Sequence, residues 1–328
     1  MGELVEDTLK EIRKRYSDEA IFLLGDFPKK DVNVVRTGSL LLDHALGVGG
    51  IPRGRYTEIF GIDGSGKTTL CQHLVANAQK EGLACAFIDV ENAVDLLYAG
   101  ACGVNLNALY FSQPNFAEEA LGIAELLVKS GEIGLVVIDS IAALSPQKES
   151  DDEFVDRNVT AMHRAKLLNV FFRRATPWMR KHDVAVVFTN QMRDNIGSFY
   201  GGIKPVGGHG IKHYASVRIK LSRRKAGEIK SGSQVVGQEI EFIVVKNKVA
   251  DPYKTDKFAI LFGYGIDRET DIALCSDTLG ILDRRGSYYR VDGETIAQGK
   301  ANLITWLKNN PDYTNELDNQ CREVLRNG

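Results

Sequence analysis

One octapeptide carries the clearest chemistry in the chain: Gly61-Ile62-Asp63-Gly64-Ser65-Gly66-Lys67-Thr68. It satisfies G-x-x-x-x-G-K-[ST] at every fixed position, the pattern of a loop that cradles phosphates. Its glycines let the backbone wrap closely enough for several N–H groups to face one anion. A helix beginning near Gly66 adds the positive end of its dipole. Lys67 would meet the β and γ phosphates as a point charge, and the Thr68 hydroxyl would coordinate a Mg²⁺ bridging them, with Thr69 next to it in the binding set. A glycine-rich turn that binds nothing is the plainer reading. Against it stand the flanks: Tyr56, Ile59 and Phe60 form a strand before the loop, and Thr69 to Ala78 place apolar residues at helical spacing after it.

Three further polar residues end apolar strands and so belong to the same rim. Leu135-Val136-Val137-Ile138 runs into Asp139, the place for a carboxylate that completes a Mg²⁺ shell. Glu91 follows the buried strand Cys85 to Val90 and could orient and deprotonate an attacking water; equally, it could be a surface acid capping a helix at 92–99. Gln191 ends Val184 to Asn190 and is either a sensor of the γ phosphate or a turn glutamine facing water.

From Gln191 to Lys212, six glycines and Pro205 exclude regular structure on pattern alone. Arg193, Lys204 and Lys212 alternate there with Ile196, Phe199 and Tyr200, around Gly197, Ser198, Gly207 and Gly208. Cations tracking a backbone while apolar groups wedge or stack on bases suit single-stranded nucleic acid; a lid over the nucleotide is the alternative. An acidic stretch from Pro146 to Asn158 argues against phosphate contact there, whereas Lys166, Arg173 and Arg174 on the next helix restore positive charge.

These groups need a scaffold, and the chain supplies one. Continuous apolar strands alternate with helices up to about Tyr214, which means a mostly parallel sheet covered on both faces: an α/β fold. Val217, Ile219 and Leu221, then Ile240, Phe242 and Val244, alternate with polar residues and predict an antiparallel edge. Thr37 to Leu46 reads as a capped helix, and Asn115, with Glu118 three positions on, as the cap of a helix to about Lys129. Residues 3–24 read as an amphipathic helix that either docks beyond its own domain or lies free on the surface. The small α+β module after 270 has turns at Arg285-Gly286 and Asp292-Gly293, a helix near Ala301 to Lys308 and a last helix to Arg326. The expected divisions are 1–33, 34–269 and 270–328.

Composition narrows the class. The 328 residues carry a formal net charge of −2, so any nucleic-acid site must be local. No apolar run approaches the ~20 residues that span a bilayer, and the N-terminus lacks a signal-peptide pattern. Five cysteines without a CxxC pair fit thiols in a reducing cytoplasm better than disulfides or zinc.

Taken together, the motifs resemble the RecA-type DNA strand-exchange recombinases of bacteria or phages, over nearly the whole length. The resemblance rests on Arg36-Thr37-Gly38-Ser39-Leu40, Ala86-Phe87-Ile88-Asp89 with Glu91, Thr189 to Arg193, Tyr214 to Arg218 and Val245 to Ala250, beyond the phosphate loop. It implies a RecA-like ATPase core between an N-terminal polymerisation helix and a small C-terminal domain. It implies ATP and Mg²⁺ as cofactors, a helical filament, and single-stranded and homologous duplex DNA as partners, with single-strand-binding and loader proteins possible. By resemblance, Glu91 activates water and Gln191 senses the γ phosphate. Asp95 and Tyr98 hold adenine, and Phe262 approaches it from a neighbour. Lys246 and Lys248 reach the neighbour's ATP, and Ile196 wedges between base triplets. A helicase-like or regulatory ATPase without strand exchange is the alternative. Ile62-Asp63-Gly64 departs from the family's usual Pro-Glu-Ser, His213 replaces a usual Phe in a spot that couples neighbouring sites, and an acidic C-terminal tail is expected to be missing.

Overall fold

The computed structural model describes residues 3–18, 20–23, 25, 32–147, 157–194, 203–205 and 208–327. It divides into two units, Met1–Val32 and Asn33–Gly328. The first holds the helix Glu3–Arg15, whose last turn carries Arg13, Lys14 and Arg15. It stops short of the expected residue 24 because Ser17 and Asp18 follow, residues whose side chains compete for backbone hydrogen bonds and favour turns. The Ser17 carbonyl accepts from the Ala20 N–H at 3.0 Å in such a turn.

The second unit is built on one large sheet. Its strands are β3 (Tyr56–Gly61), β4 (Ala84–Asp89), β5 (Leu109–Ser112), β6 (Ile133–Asp139), β7 (Ala185–Asp194), β9 (Val217–Ser231), β10 (Gln234–Asn247), β11 (Thr255–Leu261) and β12 (Gly265–Ile266). Two short strands, β1 (Val34–Val35) and β2 (Ile51–Pro52), pair apart from it, and β8 (Ile203–Pro205) pairs with the end of β7. The order is β12-β11-β10-β9-β3-β7-β6-β4-β5. From β9 to β5 all neighbours are parallel, and from β9 to β12 all are antiparallel. This is the parallel sheet with an antiparallel edge that the patterning predicts.

The continuous apolar strands are explained by two cores. Phe87, Leu135, Val137 and Val187 pack on one face with the helices Leu40–Leu46 and Lys67–Lys80. Their strand neighbours Ala86, Ile88, Val136, Ile138 and Phe188 pack on the other, with the helices Ala117–Ser130 and Arg157–Lys181. Alternate side chains therefore enter opposite layers, and every position must be apolar. Among the described residues no helix is long and apolar enough to cross a membrane.

The C-terminal module has β13 (Asp283–Arg285), β14 (Tyr288–Val291) and β15 (Glu294–Gln298) as an antiparallel meander, with helices Arg268–Thr278, Lys300–Asn309 and Pro311–Asn327. Gly286 at φ 63° serves the first turn; Asp292 and Gly293 at 51° and 85° give the second the left-handed pair that a two-residue hairpin needs. A buried polar joint ties the module to the helix Leu40–Leu46. Asp271 accepts from Ser39 Oγ at 2.8 Å and from the Leu40 N–H, while Asp43 accepts from the Thr37 hydroxyl at 2.8 Å and from Arg322 at 3.2 Å. Burial drives the Asp271 carboxyl up to about 7 and that of Asp43 up to about 6.

Two local expectations are corrected. Phe116, not Asn115, is the N-cap residue of Ala117–Ser130. Glu119 reaches back to the Asn115 N–H at 2.9 Å, while Glu118 takes the Gln147 N–H. The stretch from Gln191 to Lys212 also has regular structure in its described parts. β7 continues to Asp194, β8 pairs with it in the register Met192↔Pro205, and a helix runs Gly208–Tyr214. Antiparallel return of the chain onto β7 satisfies backbone groups that glycine content alone left unassigned.

Candidate active site and nucleic-acid face

The phosphate loop is shaped from behind. β3 is buried along its whole length and ends at Gly61. A Cβ on Gly61 would lie 2.3 Å from the Leu221 carbonyl oxygen of β9, and one on Gly66 would lie 2.6 Å from Ile260. Gly66 has φ 85° and caps the helix Lys67–Lys80 without any side-chain hydrogen bond. The first N–H donors of that helix are thus left for a ligand, as an anion site requires. Ser65 Oγ is buried without a partner beside them. Lys67 Nζ turns back onto the loop, donating to the carbonyls of Ile62 at 3.0 Å and Gly61 at 3.3 Å. Burial holds its ammonium below the ordinary lysine range, partly offset by Asp63, Asp139 and Glu91.

Behind the loop, Thr68 Oγ1 donates to Asp139 at 2.7 Å, and the Thr189 hydroxyl donates to the other Asp139 oxygen. Burial raises the Asp139 carboxyl, and these two donors work against it. A hydroxyl and a buried carboxylate are hard oxygen donors of the kind that Mg²⁺ takes alongside phosphates and water. The residues therefore fit that ion. Among the described residues no cluster of three or more His, Cys, Asp or Glu forms a self-sufficient metal cage.

Glu91 and Gln191 come together at the same rim. Gln191 stands next to Gly61 in the β3–β7 register, and its Nε2 donates to Glu91 Oε1 at 3.0 Å. The Ser140 hydroxyl donates to that same carboxylate oxygen. Glu91 is exposed and does not cap the following helix, which runs Leu96–Ala101 with Asp95 as its N-cap. Asp95 accepts from the N–H groups of Leu97 and Tyr98 at 2.8 and 3.1 Å.

Beside the loop, a cavity of about 230 Å³ reaches from Gly64 and Lys67–Thr69 to Tyr98, Gln238, Ile240, Ile260 and Phe262. Thr69 and Tyr98 share a hydroxyl hydrogen bond of 3.1 Å. Phe262, which follows β11, lines this cavity within its own chain. Sequence reasoning missed Gln238, Ile240 and Ile260, which look like ordinary alternating strand residues. It also missed Arg223, whose Nε donates to the Gly64 carbonyl at 2.7 Å. The β3–β9 register, with Gly61 opposite Leu221, carries the strand past the loop and places Arg223 there.

Lys246 and Lys248 lie away from this cavity. Lys246 donates to the carbonyls of Lys212 and His213, and Lys248 lies 3.5 Å from that of His213. In the single chain they thus hold the C-terminal end of the helix Gly208–Tyr214. That helix packs where a Cβ on Gly210 would lie 2.2 Å from Asn169 Oδ1, and Tyr214 stacks on Phe172 with centroids 4.7 Å apart. Exposed Lys166 and Arg173 flank a shallow concavity with Met162, Asn169 and Tyr214. Arg174 turns away and pairs with Glu125 at 3.0 Å. Arg193 belongs to β7 by its backbone and Gly208 begins the helix, whereas Ile196, Gly197, Ser198, Phe199, Tyr200 and Gly207 lie outside the described residues.

Comparison with known proteins gives the family. Residues 3–267 match the family model of the RecA N-terminal domain and residues 271–326 that of the RecA C-terminal domain. The chain is 41% identical over 324 residues to Protein RecA of Mesomycoplasma hyopneumoniae, covering 98% of this chain and 95% of the relative. It is 43% identical over 320 residues to Protein RecA of Rickettsia bellii, covering 97% and 92%. To Protein RecA of a Wolbachia from Drosophila simulans it is 41% identical over 324 residues, covering 98% and 90%.

Proposed function

Because the chain belongs to the RecA family, whose members hydrolyse ATP in a DNA-dependent way to drive homologous recombination, we propose how its residues divide that work. The chain binds a nucleotide and DNA and assembles into filaments. The observation that carries the assignment is the Gln191–Glu91 contact of 3.0 Å at the mouth of the phosphate loop.

In this reading the N–H donors of the loop and Lys67 hold the phosphates. Thr68 and Asp139 would hold Mg²⁺, which would supply positive charge beside the phosphates. Glu91 orients the attacking water and takes its proton, and Gln191 touches the γ phosphate and shares the same carboxylate. Loss of that phosphate then changes what Gln191 can bond to, at the strand that runs directly into the 191–210 segment. Tyr98, Ile240, Ile260 and Phe262 enclose the base, with Asp95 at its edge.

Lys246 and Lys248 act on the neighbour's ATP in the filament, exchanging the 212–213 carbonyls for phosphate oxygens. Arg193, Ile196 to Tyr200, Gly207 and Gly208, with Lys166 and Arg173, form the face for single-stranded DNA. Contacts there go mainly to phosphate, so binding is largely independent of sequence and falls with salt. A head-to-tail contact that does not close makes a helix of protomers. The N-terminal helix docks on the adjacent subunit. We read the chain as divided at 1–33, 34–269 and 270–328, with the helix Arg268–Thr278 as the joint of the last two. Five free, buried cysteines support a reducing cytoplasm, where single-strand-binding and loader proteins would act on the filament.

The test is the ATPase rate with and without single-stranded oligonucleotide, alongside particle shape in the electron microscope. Stimulated turnover on helical filaments is expected. A rate indifferent to the oligonucleotide would refute the division of roles.

A further inference from the structure

Under the site, Glu58, Asn190 and Arg218 form a polar row that none of the roles above uses. Glu58 lies on β3, three residues before Gly61, and is completely buried. One of its carboxylate oxygens accepts from Asn190 Nδ2 at 2.8 Å; the other accepts from Arg218 Nε. Arg218 is the register partner of Glu58 on one side and of Lys246 on the other. Its guanidinium also lies over the Phe60 ring, 4.8 Å from the centroid. Asn190 pairs with Phe60 in the parallel register and immediately precedes Gln191. Side chains directly opposite across strands share a face. Lys246, Arg218, Glu58, Phe60 and Asn190 therefore run across four adjacent strands on one side of the sheet.

An acid buried this deeply would be costly without partners, so its position must be fixed by them. We propose that Glu58 is a positioning residue: by gripping Asn190 with one oxygen and Arg218 with the other, it fixes the β7 backbone that carries Gln191 relative to the Arg218–Lys246 end of the row. The inference rests on the reading of Gln191 and Lys246 given above. On that reading, Gln191 faces the protomer's own γ phosphate and Lys246 faces the neighbour's. The row links the two. A shift of Asn190 when the γ phosphate leaves is passed to Arg218 through a carboxylate that cannot hold both partners in a new geometry. The cation offered to the next site moves with it.

The test is a mutant cycle on the filament-forming protein, read as DNA-stimulated kcat at saturating ATP. The charge-neutral pair Glu58→Gln with Arg218→Gln keeps hydrogen-bonding capacity without a stranded buried ion. It is expected to lower kcat about tenfold while half-saturating ATP stays within about twofold, because the row positions groups rather than binding nucleotide. Lys246→Arg is expected to cost about tenfold as well. The triple variant should then lose roughly ten- to thirtyfold, since coupled residues are not additive. A loss of about a hundredfold, the product of the two, would overturn the inference, as would parental turnover in the Gln–Gln pair. If that pair fails to melt cooperatively, Glu58→Asp takes its place in the same cycle. It retains the charge but is too short to hold both partners. Lys246→Ala, run alongside, separates the two failures. Parental stimulation in that variant removes the trans reading and this inference together. Lost stimulation with a multiplicative cycle removes the inference alone.

Discussion

The joint between the C-terminal module and the ATPase core should weaken as pH rises, and Asp271 sets the size of the effect. Its carboxyl is raised by burial from 3.8 to about 7. A group whose folded pKa lies above its unfolded value binds its proton more tightly in the native state. Its stabilising contribution is therefore complete below the unfolded value, here near 4, and is lost as pH climbs through about 7. At ~1.4 kcal/mol per pKa unit, a shift of roughly three units is about 4 kcal/mol, an upper figure because buried sites relax. Asp271→Asn keeps the shape of the side chain and removes the titration. Its amide can accept from the Leu40 N–H and donate to Ser39 Oγ, whose positions relative to Asp271 are set by the helix cap. The assay is urea unfolding of parent and variant at pH 4.5 and 7.5. The variant starts lower at acid pH, by the roughly 1–3 kcal/mol of an imperfectly replaced buried hydrogen bond. The parent then loses about 3–4 kcal/mol more than the variant across the interval, with Asp43, raised to about 6, adding to the parent's fall only as far as the two acids are coupled. Parallel curves would show that Asp271 titrates in its ordinary range and that the joint carries no proton.

Three other outcomes follow from the site. Lys67→Ala should abolish hydrolysis, since the ammonium already sits on the loop carbonyls at 3.0 and 3.3 Å; normal turnover in a phosphate-release assay would contradict the nucleotide site. Lys246→Ala combined with Lys248→Ala should remove DNA-stimulated turnover, because one protomer would no longer offer its cations to the next; unchanged stimulation would refute that role. Replacing Ile196, Phe199 and Tyr200 by Ala should weaken single-strand binding by about tenfold or more in fluorescence anisotropy, at ~1–3 kcal/mol per lost stack, with the melting temperature unchanged.

How much of this was legible in the sequence depends on the range of the signal. The phosphate loop, Asp139, Glu91 and Gln191 each follow an apolar strand, and strand ends of a parallel sheet share one rim, so chain order alone brought them together. Alternation from Val217 and from Ile240 announced the antiparallel edge correctly. What the sequence could not show was register. Arg223 reaches the Gly64 carbonyl only because β9 runs parallel to β3 and continues beyond Gly61, and Phe262 enters its own chain's cavity only because β11 lies two strands from β9. Likewise, no local pattern distinguishes Arg174, which turns to Glu125, from Arg173 beside it on the same helix. The glycine-rich segment misled in the other direction. Its composition excludes strands on propensity, but β8 forms by pairing, a tertiary gain that propensity does not count.

The crowding behind the phosphate loop bears on how its variants should be interpreted. At Gly61 an added methyl group meets a backbone oxygen that cannot swing aside, while at Gly64 it meets only the tip of Arg223, although the φ of 66° there still disfavours any side chain. Loss of ATP turnover in a Gly61 variant would thus report a displaced pair of strands as readily as a missing ligand contact. Genetic screens that score this loop by inactivity alone will merge misfolded molecules with catalytically silent ones.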